Sequence, residues 1–405
     1  MYKGGASLSL QLLKKMSNKN LPDFRDTERA FRHLSDRDLS RGKLLFELLS
    51  RPWLVATGSF FARLALFIHL PIGWAIRPTV YAQFCGGEDV DESEETISLL
   101  YSSNVMTILD YSAEGVDAEE DLDSTCAEVL KTVEAAANDP RHAFAVFKPS
   151  GISSNSLLMK KKKDFSENDL AAWERVERRV RSICAATAEA GGRVLIDAEE
   201  SWIQDNIDEL AEDMMSDFNR ERAVVFTTAQ LYRHDRLAYV KELTLKANEA
   251  GFIAGVKLVR GAYMEKERDR AEEMGYNSPI QTDKKSTDVD FDHAVKFCLE
   301  HLERVHLFCG SHNEESNMNL CEAMAEMGIA NNDPRITFSQ LLGMSDPITF
   351  NLADHGYNVA KYVPYGPIRE AMPYLIRRAK ENTSVAGQTS RELTLIKEEI
   401  ARRKS

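Results

Sequence analysis

From residue 105 to residue 366 the chain repeats one unit, a short apolar β-branched run followed by a longer stretch of helical period. The runs are VMTILDYS (105–112), AFAVFKPS (143–150), RVLIDAE (193–199), AVVFTTAQ (223–230), IAGVKLVRG (253–261), VHLFCGS (305–311), ITFSQLLG (336–343) and NVAKYVPYG (358–366). Helical patterns lie between them at 168–190, 202–219, 233–250, 289–303 and 315–327. Near-continuous apolar strands alternating with amphipathic helices predict parallel strands buried on both faces. Eight such units have the size and rhythm of an α/β fold of the (β/α)8 barrel type. A doubly wound sheet would carry a glycine-rich phosphate turn after its first strand, whereas here that strand runs into DYSAEG. Residues 1–100 lack the rhythm and predict a mainly helical arm packing on the barrel, 101–390 the barrel, and 391–405 a charged helical tail.

A net charge of −13 argues against a nucleic-acid partner, so any anionic ligand must be met by a local cationic cluster. Six cysteines without metal-ligand spacing predict free thiols in a reducing compartment and no metal site. The first twenty residues have neither a secretory apolar core nor an Arg-rich transit character, which makes the cytoplasm the default expectation. The most apolar segment, 52–76, is broken by Arg63, His69 and Pro71 and predicts one or two amphipathic helices on the barrel, with peripheral membrane contact as the alternative. The lysine run Lys160–Lys163 predicts a solvated loop, or a contact with anionic lipid.

In a (β/α)8 barrel the site lies at the C-terminal strand ends. Those ends carry Asp110, Tyr111, Ser112 and Glu114; Lys148; Asp197 and Glu199; Gln230; Lys257, Arg260 and Tyr263; Ser311, His312 and Asn313; Tyr362 and Tyr365. Any one alone reads as an exposed strand end or a structural ion pair; their conjunction on one rim marks a site. Beyond the eighth run, YLIRRAKEN (374–382) places Tyr374, Arg377, Arg378 and Glu381 at i, i+3, i+4 and i+7, on one helix face. Two guanidiniums on one face call for anions: a substrate carboxylate, a phosphate, or protein carboxylates such as Asp197. The bland alternative is a solvated face on which Glu381 pairs with Arg377.

These pieces together resemble the monofunctional proline dehydrogenase (proline oxidase) family. The matching motifs are DYSAEG (110–115), LIDAEES (195–201), TTAQLY (227–232), KLVRGAYMEKER (257–268), STDVDFD (286–292), GSHNEES (310–316), SQLLGMSD (339–346), KYVPYGP (361–367) and YLIRRAKEN, in order over residues 80–390. Lys257 follows the mitochondrial-type branch; the large bifunctional bacterial enzymes have Arg there. The resemblance implies a distorted (β/α)8, TIM-type barrel binding FAD. It implies that Arg377, Arg378 and Lys148 hold the proline carboxylate, that Tyr374 and Leu341 pack on its ring, and that Tyr362 borders it. Asp197 and Glu381 would orient the arginines. For FAD it points to Asp197, Ala198, Gln230, Lys257, Val259, Gly261, Tyr263, Thr282, His312 and Asn313.

The implied reaction is oxidation of L-proline to Δ1-pyrroline-5-carboxylate, with electrons passed to a quinone and the product handed to a separate pyrroline-5-carboxylate dehydrogenase. The implied place is the cytoplasm, at the inner membrane periphery, or the mitochondrial matrix face in a eukaryote. A hydroxyproline dehydrogenase is the near alternative, with Tyr374 crowding the ring in favour of proline. A Schiff-base lyase built on Lys148 or Lys257, and an inactive proline-binding protein, are the others.

Overall fold

The computed structural model describes residues 21–405 apart from 69, 71, 112–117 and 385–387, and leaves the side chains of 63, 66, 381–384 and 388–390 undescribed. Ser112, Glu114 and the Glu381 side chain therefore lie outside the described residues.

The chain opens with α1 (Thr27–Phe31), α2 (Asp36–Leu49), α3 (Pro52–Phe67) and α4 (Glu94–Tyr101). Ser35 starts α2 through a reciprocal capping box with Asp38. The barrel then runs β1 (Met106–Tyr111), α5 (Glu119–Asn138), β2 (Ala145–Phe147), α6 (Glu167–Glu189), β3 (Val194–Ile196), α7 (Ser201–Phe218), β4 (Val225–Gln230), α8 (Arg236–Ala250) and β5 (Ala254–Val259). It continues through α9 (Met264–Met274), α10 (Lys284–Glu300), β6 (Val305–Gly310), α11 (Glu314–Glu326), β7 (Ile336–Leu341), α12 (Asp346–Asp354), β8 (Val359–Tyr365) and α13 (Ile368–Ser384). The last helix is α14 (Gln388–Lys404).

All eight apolar runs form strands, parallel and ordered β1-β8-β7-β6-β5-β4-β3-β2. Among the described residues, the backbone hydrogen bonds across the β1–β2 seam are those of Thr107, which donates to Arg141 O at 2.8 Å and accepts from Ala143 N at 2.9 Å. Strand alternation sends Ile108, Phe144, Val146, Leu195, Phe226 and Phe308 inward. Phe144 meets Phe226 and Phe308 edge-to-face at 5.2 and 5.1 Å, and the Arg193 guanidinium covers Phe144 at 4.3 Å. This aromatic plug fills one end of the barrel and leaves the other for polar groups. Outward strand residues such as Leu109, Val225, Val256 and Phe338 join the core between sheet and helices.

Segment 52–76 departs from the amphipathic expectation. Its main helix, α3, buries Val55 against the cluster that holds Met372, Leu375 and Ile376 of α13. Its other side leaves Trp53, Phe60, Phe61 and Phe67 exposed, because α2 and α13 cover only one side of a helix that is apolar on more than one. No described helix is long and apolar enough to cross a membrane. The lysine run is partly tied down: Lys160 pairs with Asp169 at 2.6 Å and Lys162 with Glu209 at 2.7 Å. All six cysteines are buried and free.

Candidate active site

The polar end of the barrel is built of ion pairs between strands. Just past β2, Lys148 Nζ lies 2.7 and 3.0 Å from the two carboxylate oxygens of Asp110 on β1. From β5, Lys257 Nζ donates to Asp197 Oδ1, just past β3, at 2.6 Å and to the Tyr362 hydroxyl of β8 at 2.5 Å. The Tyr362 hydroxyl donates in turn to Asp197 Oδ1 at 3.3 Å, and Lys257 Nζ sits 4.3 Å from the Tyr362 ring centroid. Burial, followed by the Asp197 and Asp110 carboxylates, pushes the Tyr362 phenol far above its ordinary range, so it stays protonated and remains a donor.

The resemblance implies that Asp197 orients an arginine. Its Oδ1 is instead taken by Lys257 and Tyr362. The reason is register: Asp197, Lys257 and Tyr362 all point into the strand ring, whereas the arginines approach from α13. Ala198 follows Asp197 and is buried, and Leu341 at the end of β7 packs against both the interior cluster and the cluster containing Tyr374.

On the β4–β6 side, Gln230 Nε2 donates to Glu199 O at 2.6 Å, and Glu199 accepts from Ser150 N at 2.8 Å and Ser150 Oγ at 2.5 Å. Val259 stands beside Gln230 in register. Gly261 has φ +131, and a Cβ there would meet the Tyr232 ring at 2.5 Å, so only glycine serves. Thr282 is exposed, but its neighbour Gln281 donates to Tyr232 O at 2.7 Å, which keeps that loop against the β4 end. Asn313 caps α11 by accepting from Ser316 N at 3.0 Å. His312 Nδ1 pairs with Ser345 Oγ at 2.9 Å, and its Nε2 accepts from Leu341 N at 3.4 Å. Burial, helped by Lys361, Arg378 and Arg260, pushes His312 down to about 3, so the ring is neutral.

α13 brings its named face to this rim. Arg377 lies 5.8 Å from the Tyr263 ring centroid, Arg378 is buried and lies 5.3 Å from the Tyr374 ring, and Tyr374 is buried. Arg260, a strand-end candidate, is a tether: it reaches Asp288 at 2.7 Å and Ser311 and Ser316 at 3.0 Å each. Sequence reasoning named Asp110 without its partner Lys148 and left out Ser345, the partner of His312. Asp110 carried a signal as a strand-end carboxylate. Ser345 carried none, since its left-handed backbone (φ 55) is invisible in the sequence.

A (β/α)8 barrel whose polar end gathers lysine–carboxylate pairs beside an arginine-bearing helix has the layout of an enzyme site at the C-terminal strand ends. The chain belongs to the proline dehydrogenase family, whose model matches residues 93–391. It is 33% identical over 324 residues to the carbapenem antibiotics biosynthesis protein CarD of Pectobacterium carotovorum, covering 79% of this chain and 83% of that one. It is 38% identical over 242 residues to human mitochondrial proline dehydrogenase 1, covering 59% of this chain and 40% of the relative. The Xenopus laevis hydroxyproline dehydrogenase is 30% identical over 415 residues, covering 92% and 88%. Among solved structures, proline utilization A from Bdellovibrio bacteriovorus superposes with a TM-score of 0.69 at 21% identity, over 88% of this chain and 38% of that one. That likeness is one of fold.

Proposed function

We propose that this protein oxidises L-proline to Δ1-pyrroline-5-carboxylate with FAD as its cofactor. One observation carries the reading: α13 sets Arg377, Arg378 and Tyr374 against a rim that also holds the Lys257–Asp197–Tyr362 network. The arginines and Lys148 suit a substrate carboxylate through charge-assisted hydrogen bonds, and Tyr374 with Leu341 offers an apolar wall to a five-membered ring.

The donor set also suits a flavin. Gln230, Lys257, Val259, Gly261, Tyr263, His312 and Asn313 would line it, with Asp197 and Ala198 beside them and Thr282 on the bordering loop. FAD, when bound, supplies the acceptor for the hydride that leaves the proline ring carbon. The substrate nitrogen loses a proton, so that a C=N bond replaces the C–N bond. With FAD bound, Lys257 would supply a buried cation to the negative charge of the reduced flavin, and Asp197 and Tyr362 hold that cation in position. The test is anaerobic titration with L-proline of the purified yellow protein; flavin absorbance that fails to bleach overturns the reading.

A second reading, oxidation of hydroxyproline, is favoured by the Xenopus relative, which aligns over 92% of this chain. Tyr374, buried at the proposed ring position, weighs for the smaller substrate. Relative kcat/KM on the two amino acids decides. Downstream, we infer a quinone acceptor within lipid and a separate dehydrogenase for the product. The exposed face of α3, with Trp74 beyond it, is an apolar aromatic surface of the kind that sits at a bilayer interface. That surface supports a membrane-peripheral reading, and the fly and human relatives bear mitochondrial names.

A further inference from the structure

The turn between β7 and α12 is held in a conformation that its own sequence does not favour. Ser345 sits in the left-handed region at φ 55, ψ 38, which disfavours any residue with a Cβ. Three buried contacts impose it. Lys361 Nζ, inside the fold, donates to Met344 O at 2.5 Å and Leu341 O at 3.2 Å, and pairs with Asp346 at 2.8 Å. Gly343 packs so tightly on Gln83 O that a Cβ would come within 2.0 Å. The third contact comes from α14: Glu392 Oε2 accepts from Ser345 N at 3.2 Å.

The consequence reaches the rim. Because Leu341 N donates to His312 Nε2, the ring proton of His312 is on Nδ1 and is donated to Ser345 Oγ. The Leu341 N–H thus selects the tautomer, Ser345 Oγ accepts the Nδ1 proton and holds the ring plane, and Glu392 fixes Ser345. α14 is in turn anchored elsewhere. Leu395 and Ile396 pack with Phe31, Leu39 and Phe46, Arg391 pairs with Glu314 at the start of α11, and Arg403 donates to Phe31 O at 2.7 Å.

We propose that Glu392 is a positioning residue for the active site, holding the β7–α12 turn so that Ser345 accepts the Nδ1 proton of His312 and fixes its orientation. The assignment of His312 to the flavin rests on the proposed function; the link from Glu392 to His312 does not. It makes the last helix, distant in sequence from every rim strand, part of the catalytic scaffold.

The experiment compares Glu392→Ala, Glu392→Gln and Ser345→Ala by nitrogen NMR of the histidine rings and by FAD titration of the apoprotein. Gln keeps a carbonyl acceptor for Ser345 N and should preserve the His312 resonances. Ala at 392 should move His312 toward a mixture of tautomers and weaken FAD binding roughly tenfold, the size of one lost buried hydrogen bond. Ser345→Ala should give the same His312 change with α14 still docked, which keeps the test valid if Glu392→Ala unfolds. Unchanged His312 resonances in Ser345→Ala and in a folded Glu392→Ala overturn the proposal. Altered resonances with unchanged FAD affinity support the coupling and overturn instead the placing of His312 beside the flavin.

Discussion

Lys257 and Asp197 meet at 2.6 Å although β4 lies between their strands, so the pair spans the barrel interior instead of running along a ladder. Both side chains are nearly buried, at 8 and 15% exposure. Replacing Lys257 by Met strands the Asp197 carboxylate and the Tyr362 hydroxyl. Loss of stability of about 3–5 kcal/mol is expected, read by urea unfolding, together with loss of proline-dependent flavin reduction. Full stability in the variant would mean that the pair is not the brace of the barrel mouth.

Removing only the phenol oxygen is a milder change. Tyr362→Phe keeps the packing around Lys257 and deletes one donor and one acceptor. Stability should fall by about 1 kcal/mol and kcat by roughly tenfold, with KM for proline moved less. Stopped-flow reduction at saturating proline separates the two constants, and a change confined to KM would move Tyr362 from cation holder to substrate contact.

The α13 clamp gives a binding prediction. Arg378→Ala should raise the KM for proline roughly 10- to 100-fold, the range of a buried charge-assisted hydrogen bond, with the fold retained by circular dichroism. An unchanged KM refutes the clamp.

Tyr374 controls room around the ring. Tyr374→Ser should raise the ratio of hydroxyproline to proline kcat/KM, since it leaves space and a hydroxyl partner where an aromatic ring stood. Parallel assays on the two substrates read it directly, and a constant ratio removes Tyr374 from the specificity determinants.

Glu392 yields a pH dependence. Burial, followed by the Asp346 carboxylate, raises its carboxyl to about 8, with Lys361 and the backbone N–H groups of Ser345 and Asp346 opposing. Asp346 is itself held below the usual range: burial acts against its ionisation, and Lys361 and then His33 outweigh it. Burial also lowers His33. The unfolded chain ionises Glu392 near its ordinary 4.5. Its contribution to stability is therefore complete below that value and is lost as pH rises toward 8. Melting temperatures of Glu392→Gln, which cannot ionise, should fall less between pH 5 and 9 than those of the parent; parallel curves would exclude Glu392 as the titrating group.

Fold and site were not equally legible. Parallel strands covered on both sides read as near-continuous apolar runs, so all eight could be found without a partner in view. The arginine face of α13 was legible for the same reason, since helical period alone brings Tyr374, Arg377 and Arg378 together. Pairings across the barrel were not: Lys148 with Asp110 and Lys257 with Asp197 depend on which strands adjoin and how far each side chain reaches. The exposed side of α3 was not legible, because the sequence does not say how much of an apolar helix its neighbours α2 and α13 cover. Ser345 was hidden because nothing in its neighbours' identities requires a positive φ.

The stitched β1–β2 seam has its own consequence. Seven strand boundaries are closed by continuous ladders, while this one relies on Thr107, with the Asp110–Lys148 pair bridging it nearer the rim. A closed cylinder opens first along its weakest meridian. Native-state hydrogen exchange should therefore release the two amides that make the stitch, those of Thr107 and Ala143, ahead of the β4–β6 staves, and a clasp of opposite charges, one of them proposed to meet the substrate, doubles as the rivet of that joint.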